Sequence, residues 1–200
     1  VILGLIFFGC KSNGLGATVN LKEPKQVTTD DWIRGDINAK VILIEYSDFQ
    51  CPACGAYYQV IKKLEEKFGS QIGFVYRHFP LTQVHQNAEL AAIVSEAAGR
   101  QNKFWEMHDL LFENQRIWSA DSDAKEIFID YAKGLGLNEK QFTDDLADKE
   151  IKKKISSSYV EGVSLGIQGT PTFFLNGKKL SPSPGTYGEF EKIISEKLKP

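Results

Sequence analysis

Hydrophobic positions along the chain change their period several times, and each change marks an element. Val41-Ile42-Leu43-Ile44-Glu45-Tyr46 is a nearly continuous apolar run rich in β-branched residues, the pattern of a central strand buried on both faces. After a short loop at residues 47–50 the period becomes helical. Tyr57, Ile61, Leu64 and Phe68 fall on one face, and Gly69 stands where such a helix stops. Ile72–His78 reads as a second strand. Strand, helix and strand with short connections predict a right-handed βαβ unit with parallel strands.

Residues 86–166 keep a helical period throughout. Ala88, Ala91 and Ala92 give one apolar face, and Phe104, Met107, His108 and Leu111 a second. Ile127, Phe128, Tyr131, Ala132 and Leu135 give a third; Asn138 with Gln141 resembles the capping box of a short fourth helix. Ile151, Ile155, Tyr159 and Val163 line a fifth. The period then returns to strand at Thr172-Phe173-Phe174-Leu175, followed by Asn176-Gly177, a strong hairpin signal, and Lys178-Lys179-Leu180. Thr186 and Glu189 form a capping box, and Phe190, Ile193, Ile194 and Leu198 make one face of a last helix. The order is βαβ, helical stretch, ββα. It predicts an α/β domain over residues 30–84 and 167–200, with a mixed sheet of about four strands and helices on its faces. An all-helical insertion fills residues 85–166. Residues 30–40 read as a lead-in of turn residues anchored by Trp32.

The N-terminal end has a different character. Residues 1–9 read Val-Ile-Leu-Gly-Leu-Ile-Phe-Phe-Gly, followed by Cys10, with no initiator Met. The natural start is expected upstream. The apolar run has the length of a signal-peptide core and is too short to span a membrane alone. Gly9 before Cys10 resembles a bacterial lipoprotein cleavage site, which makes Cys10 a lipidation candidate; an uncleaved membrane anchor is the alternative. Residues 11–29 are polar and aperiodic, the composition of a tether. A signal, lipoprotein or anchor segment implies export to a compartment where disulfides persist.

Composition narrows the function classes. The chain has 200 residues, 42% of them hydrophobic and 25% charged, ordinary values for a folded domain with its own core. The formal net charge is −2, so no phosphate-binding surface and no nucleic-acid partner are expected. The one basic run, Lys152-Lys153-Lys154, reads as a solvated helix face. The three cysteines are too few for a disulfide framework, and two stand as Cys51-Pro52-Ala53-Cys54.

That spacing carries chemistry. The thiolate is the attacking species, and an ordinary cysteine with a pKa of about 8.5 is mostly protonated at neutral pH. Cys51 falls where a strand ends and a helix begins, and free N–H groups at a helix N-terminus favour negative charge. Pro52 suits the first helical position, where a missing N–H costs nothing. Cys54 follows one turn later, placed beneath Cys51 and able to resolve a mixed disulfide. Half of a zinc site would need Cys10 or several of His78, His85 and His108, and no second close pair exists. No metal is expected. An inert structural disulfide with so short a loop would constrain the unfolded chain little.

Glu45-Tyr46-Ser47-Asp48-Phe49-Gln50-Cys51-Pro52-Ala53-Cys54 resembles the active site of the DsbA-like bacterial disulfide oxidoreductases, within the thioredoxin fold. Gly169-Thr170-Pro171-Thr172-Phe173 is similar to that family's cis-proline loop, and the helical insertion lies where the family carries one. The resemblance runs from about residue 30 to the C-terminus. It implies an extracytoplasmic catalyst, periplasmic or in the cell envelope, that passes disulfides to exported, unfolded or partly folded proteins. It also implies a membrane redox partner and no bound cofactor. By the same resemblance Cys51 is the nucleophile, Cys54 the resolving thiol and Pro52 a supporting residue. Glu45 is then a buried acid that helps move the proton of Cys54. Thr170 and Pro171 form a cis peptide that faces the pair and meets substrate. Strongly oxidising members carry His at the third motif position; Ala53 supplies no such charge, so a disulfide isomerase or reductase is the alternative. A non-catalytic chaperone-like binding module is a further one. The intact pair argues against relatives that use glutathione and lack it.

Overall fold

The computed structural model describes residues 23–199; Cys10 and the segments at residues 1–22 lie outside them. The central sheet has five strands in the order β1-β3-β2-β4-β5. β2 (Val41–Ser47) and β3 (Ile72–His78) pair in parallel and are joined by α1 (Pro52–Phe68) and a single 3-10 turn. β4 (Thr172–Leu175) runs antiparallel to β2, and the two-residue β5 (Lys178–Lys179) closes the far edge. Asn176 and Gly177 have φ of 47° and 79°, the left-handed pair that a tight two-residue hairpin demands.

Side chains of β2 alternate between two packed faces, as a strand dictates. Val41 and Leu43 join Phe74, Phe173 and Leu175 against Ile61, Leu64 and Phe68 of α1 and Phe190 and Ile194 of α8 (Tyr187–Leu198). Ile44 and Tyr46 face the other way, onto Val75, Phe79, Leu165, Ile167 and Phe174. Glu45 and Ser47 therefore point to the α1 side. The Thr186–Glu189 capping box opens α8.

Between β3 and β4 lie α2 (Ala88–Gly99), α3 (Phe104–Glu113), α4 (Gln115–Trp118), α5 (Ala124–Gly134), α6 (Glu139–Asp145) and α7 (Lys149–Ser164). Their core, with Met107, Leu111, Trp118, Phe128 and Phe142, continues into Phe49, Cys54 and Tyr58 beneath the first loop. The insertion thus forms one wall of the cysteine site. Among the described residues no helix is long and apolar enough to cross a membrane.

Five details depart from the pattern read along the chain. The sheet has a fifth strand, β1 (Trp32–Gly35), antiparallel to β3 at the edge. Four residues without clear alternation give no strand signal; long-range partners hold them there. The Trp32 ring stacks on Phe104 at 4.2 Å, and Trp105 Nε1 donates to the Ile33 carbonyl at 3.2 Å. The insertion has six helices, because α4 is a single turn. Residues 25–31, read as the end of a tether and the start of a lead-in, are tied to the sheet through Arg77, and Val27 packs against the core. The inner face of α7 is Ile151, Ile155, Glu161 and Gly162, while Tyr159 and Val163 are 38% and 49% exposed. Gly162 explains this choice. A Cβ there would lie 2.5 Å from the Phe79 ring, so only glycine lets the helix approach so closely. Lys154 is no free surface charge: its Nζ meets Glu96 at 2.9 Å and lies 4.4 Å over the Trp32 ring.

Candidate active site

Cys51 caps α1. Its backbone is extended, at φ −67° and ψ 121°, no side chain occupies the cap, and Pro52 takes the first turn. The first N–H groups of α1 are left free to meet a charge at the sulfur. The Cys51 thiol lies 7% exposed at the surface while Cys54, one turn on, is fully buried, and both thiols are free. The Cys51 thiol donates to the Thr170 carbonyl at 3.4 Å, joining residues that the chain separates by the entire insertion. The Thr170–Pro171 bond is cis.

These surroundings split the two thiols electrostatically. Cys51 is lowered from 9.0 to about 5: a hydrogen bond from Cys54 is the main cause, burial opposes it, and Thr170 and the backbone at Cys54 and Ala53 add to it. Burial pushes Cys54 well above its ordinary value, and the neighbouring Cys51 and Glu45 push it further. The arrangement stabilises one thiolate at the surface above one protonated thiol. Burial likewise raises Glu45 to about 8, against a Ser47 hydrogen bond that lowers it. Glu45 is 3% exposed, and its Oε1 accepts from Ser47 Oγ at 2.7 Å.

The loop that presents Cys51 is held from three sides. Asp48, almost fully buried, accepts from the Gln50 N–H at 2.7 Å, an Asx turn. Its other oxygen accepts from the Leu81 N–H at 2.9 Å and meets His85 Nδ1 at 2.7 Å. Gln50 Oε1 accepts from the Asn87 N–H. Gln115 Nε2 donates to the carbonyls of Phe49 and Cys51, at 2.7 and 2.9 Å. A Cβ at Gly55 would stand 2.6 Å from Gln115 Oε1, so a larger residue there would push the Gln115 amide out of its present position. Sequence reasoning missed Asp48, Gln50 and Gln115. The Asp-x-Gln spacing was a usable signal for the Asx turn; nothing local marks Gln115.

The remaining histidines are paired. His78 Nε2 meets Glu96 at 2.9 Å. His108 Nδ1 meets Asp109 at 2.8 Å, and burial lowers its pKa to about 4, so it is neutral. Tyr57, expected in the core beside Ile61, packs at its margin against Phe173 and Phe190, and the adjacent Tyr58 takes the buried position. Among the described residues no group of three or more His, Cys, Asp or Glu side chains is placed to hold a metal ion. A groove runs beside the site between α1 and α4, lined by Pro52, Ala56, Gln59, Phe112, Gln115 and Ile117. Ile117 is 62% exposed there.

Comparison with known proteins places this geometry. Residues 27–196 match the family model described as Thioredoxin. The chain is 42% identical over 151 residues to the Na(+)/H(+) antiporter NhaA 1 of Salinispora arenicola, a stretch that is 74% of this chain and 22% of that protein. It is 39% identical to NhaA 3 of Salinispora tropica, again over 22% of that protein's length. The chain spans less than a quarter of these two curated relatives. Among solved structures, oxidised BdbD from Bacillus subtilis superposes with a TM-score of 0.77 at 22% identity, covering 89% of this chain and 97% of that one. Wolbachia pipientis alpha-DsbA1 gives 0.77 at 23% identity, covering 87% and 94%. The catalytic domain of Proteus mirabilis ScsC gives 0.70 at 20% identity, covering 86% and 90%. At these identities the likeness is one of fold, with the helical insertion included. From the family match across most of its length, the chain belongs to the thioredoxin family, in the DsbA-like arrangement of its fold.

Proposed function

We propose that this protein is a thiol–disulfide oxidoreductase that exchanges disulfides with unfolded or partly folded exported proteins. The observation that carries the reading is the acidic Cys51 thiol at the N-terminus of α1, set above a buried, protonated Cys54. In the oxidising direction a substrate thiolate attacks Cys51 Sγ of the disulfide form. The Cys51–Cys54 bond breaks, Cys54 leaves and takes a proton, and a mixed disulfide forms. A second substrate thiolate then attacks the substrate sulfur, and Cys51 departs as a thiolate. The low pKa of Cys51 makes it a good leaving group for this last step. Electrons reside in the cysteine pair, and the reaction needs no further cofactor.

Thr170 and Pro171 form the substrate side of the site, where backbone groups beside Cys51 suit an extended peptide. The groove with Ile117 offers an apolar seat for its side chains. A DsbA-like fold and a low Cys51 pKa favour an oxidant, because stabilising the reduced form makes the disulfide more reactive. Ala53, with no charge beside the thiolate, favours the isomerase or reductase reading. Equilibration with glutathione discriminates. A reduction potential above about −180 mV assigns an oxidant, and one near about −270 mV a reductase.

The fold and the apolar run before Cys10 support a site outside the cytoplasm, held to a membrane through the N-terminus and recharged by a membrane redox partner. Mass spectrometry of the protein from a bacterial host is expected to find Cys10 as a lipidated N-terminus. An unmodified Cys10 still joined to Gly9 would assign an uncleaved anchor instead.

A further inference from the structure

Beneath the cysteine pair lies a closed polar compartment. Glu45 and Ser47 enter it from β2, Tyr76 from β3 directly opposite Glu45, and Cys54 from α1. All four are at most 3% exposed. Ser47 Oγ donates to Glu45 Oε1 at 2.7 Å. The Tyr76 hydroxyl is buried and has no hydrogen-bond partner, an arrangement that costs free energy. The Phe49 ring stacks over Tyr76 at 4.9 Å and closes the compartment toward the insertion.

We propose that Ser47 carries the proton between Cys54 and Glu45, and that the unpartnered Tyr76 hydroxyl steadies the charge formed there. The inference rests on the oxidoreductase reading above. A serine hydroxyl has one proton and two acceptor sites. While Glu45 is ionised, that proton is committed to Oε1, and Ser47 Oγ can only accept from Cys54. A Cys54 proton moving onto Oγ displaces the serine proton onto Glu45. The Cys54 thiolate then attacks Cys51 Sγ in a mixed disulfide, the Cys51–substrate bond breaks, and the substrate sulfur leaves as a thiolate. In reverse, protonated Glu45 donates to Ser47, whose proton turns to the departing Cys54 thiolate. Once Glu45 is protonated the Ser47 hydroxyl is free to turn and donate to the Cys54 thiolate, and this hydrogen bond lowers the pKa of Cys54 against the effect of burial. Charged and titratable groups facing Glu45 are Cys51, Cys54 and Glu65 from α1 and Tyr76 from β3; Glu65 is paired with Arg34 at 3.1 Å.

The test is stopped-flow reaction of the reduced protein with 5,5′-dithiobis(2-nitrobenzoate) between pH 5 and pH 9.5. A first release of nitrothiobenzoate reports attack by Cys51, and a second reports resolution by Cys54. Ser47→Ala is expected to slow the second release roughly tenfold at neutral pH, with the deficit closing as pH rises and hydroxide takes the proton. Ser47→Thr, which keeps the hydroxyl, is expected to restore it. Tyr76→Phe is expected to slow it about threefold. A second release unchanged in Ser47→Ala across the range, or equally slow in Ser47→Thr, overturns the relay while leaving the Cys51 assignment intact. An unreactive Cys51 in the wild type would overturn the oxidoreductase reading itself.

Discussion

Replacing Cys51 with serine is expected to abolish disulfide exchange, and replacing Cys54 with serine to halt it at the mixed disulfide. The asymmetry follows from the two environments. Only Cys51 reaches the surface, and only Cys51 is held toward the thiolate at neutral pH. Without it no sulfur in the site can meet a substrate. Without Cys54, Cys51 still attacks but nothing releases it. Alkylation with iodoacetamide in the folded reduced protein should show Cys51 half-reactive near pH 5 and Cys54 protected. Equal rates for the two thiols at neutral pH would contradict the assignment. The same split links pH to redox stability. The folded pKa of Cys51 is depressed, so its stabilisation of the reduced form is full above the unfolded value and is lost as pH falls through about 5. Glu45 is present in both forms, and its pKa, raised chiefly by burial, acts in the same sense on each, so the difference between the forms reports chiefly Cys51. Urea unfolding of reduced and oxidised protein should show the gap widening from pH 5 to pH 9.

Arg77→Ala is expected to be the most destabilising single change away from the cysteines. Arg77 is 6% exposed in the sheet, and its guanidinium joins three segments. Nε and Nη2 fork onto Asp31 at 2.8 and 3.0 Å. Nη1 donates to Glu161 Oε1 of α7 at 3.0 Å and to the Tyr46 hydroxyl at 3.1 Å. Nη2 also donates to the Lys25 carbonyl at 3.1 Å, while the Lys25 N–H donates to Glu161. Removing the cation leaves Glu161 and Asp31 as poorly solvated carboxylates without their counterion. Breaking a buried pair in this way typically costs about 3–5 kcal/mol. In a domain of this size that lowers Tm by roughly 10 °C. Arg77→Lys should recover little, because a point charge cannot fork. Thermal and urea unfolding measure the loss, and a deficit under about 1 kcal/mol would show that the network carries no net weight. Limited proteolysis should then cut first between residues 25 and 31, the segment this network fastens together with Val27.

The chain's local patterns determined the elements around the site. An unbroken apolar run gave β2, a helical period gave α1, and Asn176-Gly177 gave the hairpin, because each depends on neighbours a few residues away. The cysteine pair was legible for the same reason: one helical turn sets its spacing, and the strand before it sets its place at a helix end. Glu45 was readable as an acid among apolar neighbours, and the Thr170-Pro171 loop as a resemblance. Only the tertiary structure decided what these residues meet. β1 exists because Trp32 finds Phe104 and the Ile33 carbonyl finds Trp105, partners far along the chain. The inner face of α7 turned to Glu161 and Gly162 because Arg77 needed a carboxylate and Phe79 needed space. Ser47 and Tyr76 look ordinary in the sequence. They acquire meaning because parallel pairing of β2 with β3 places Tyr76 across from Glu45, and the alternation of β2 turns Ser47 to the same side, beneath Cys54. Periodicity can fix which face of an element is buried; it carries no information about which polar group will be waiting on the other side.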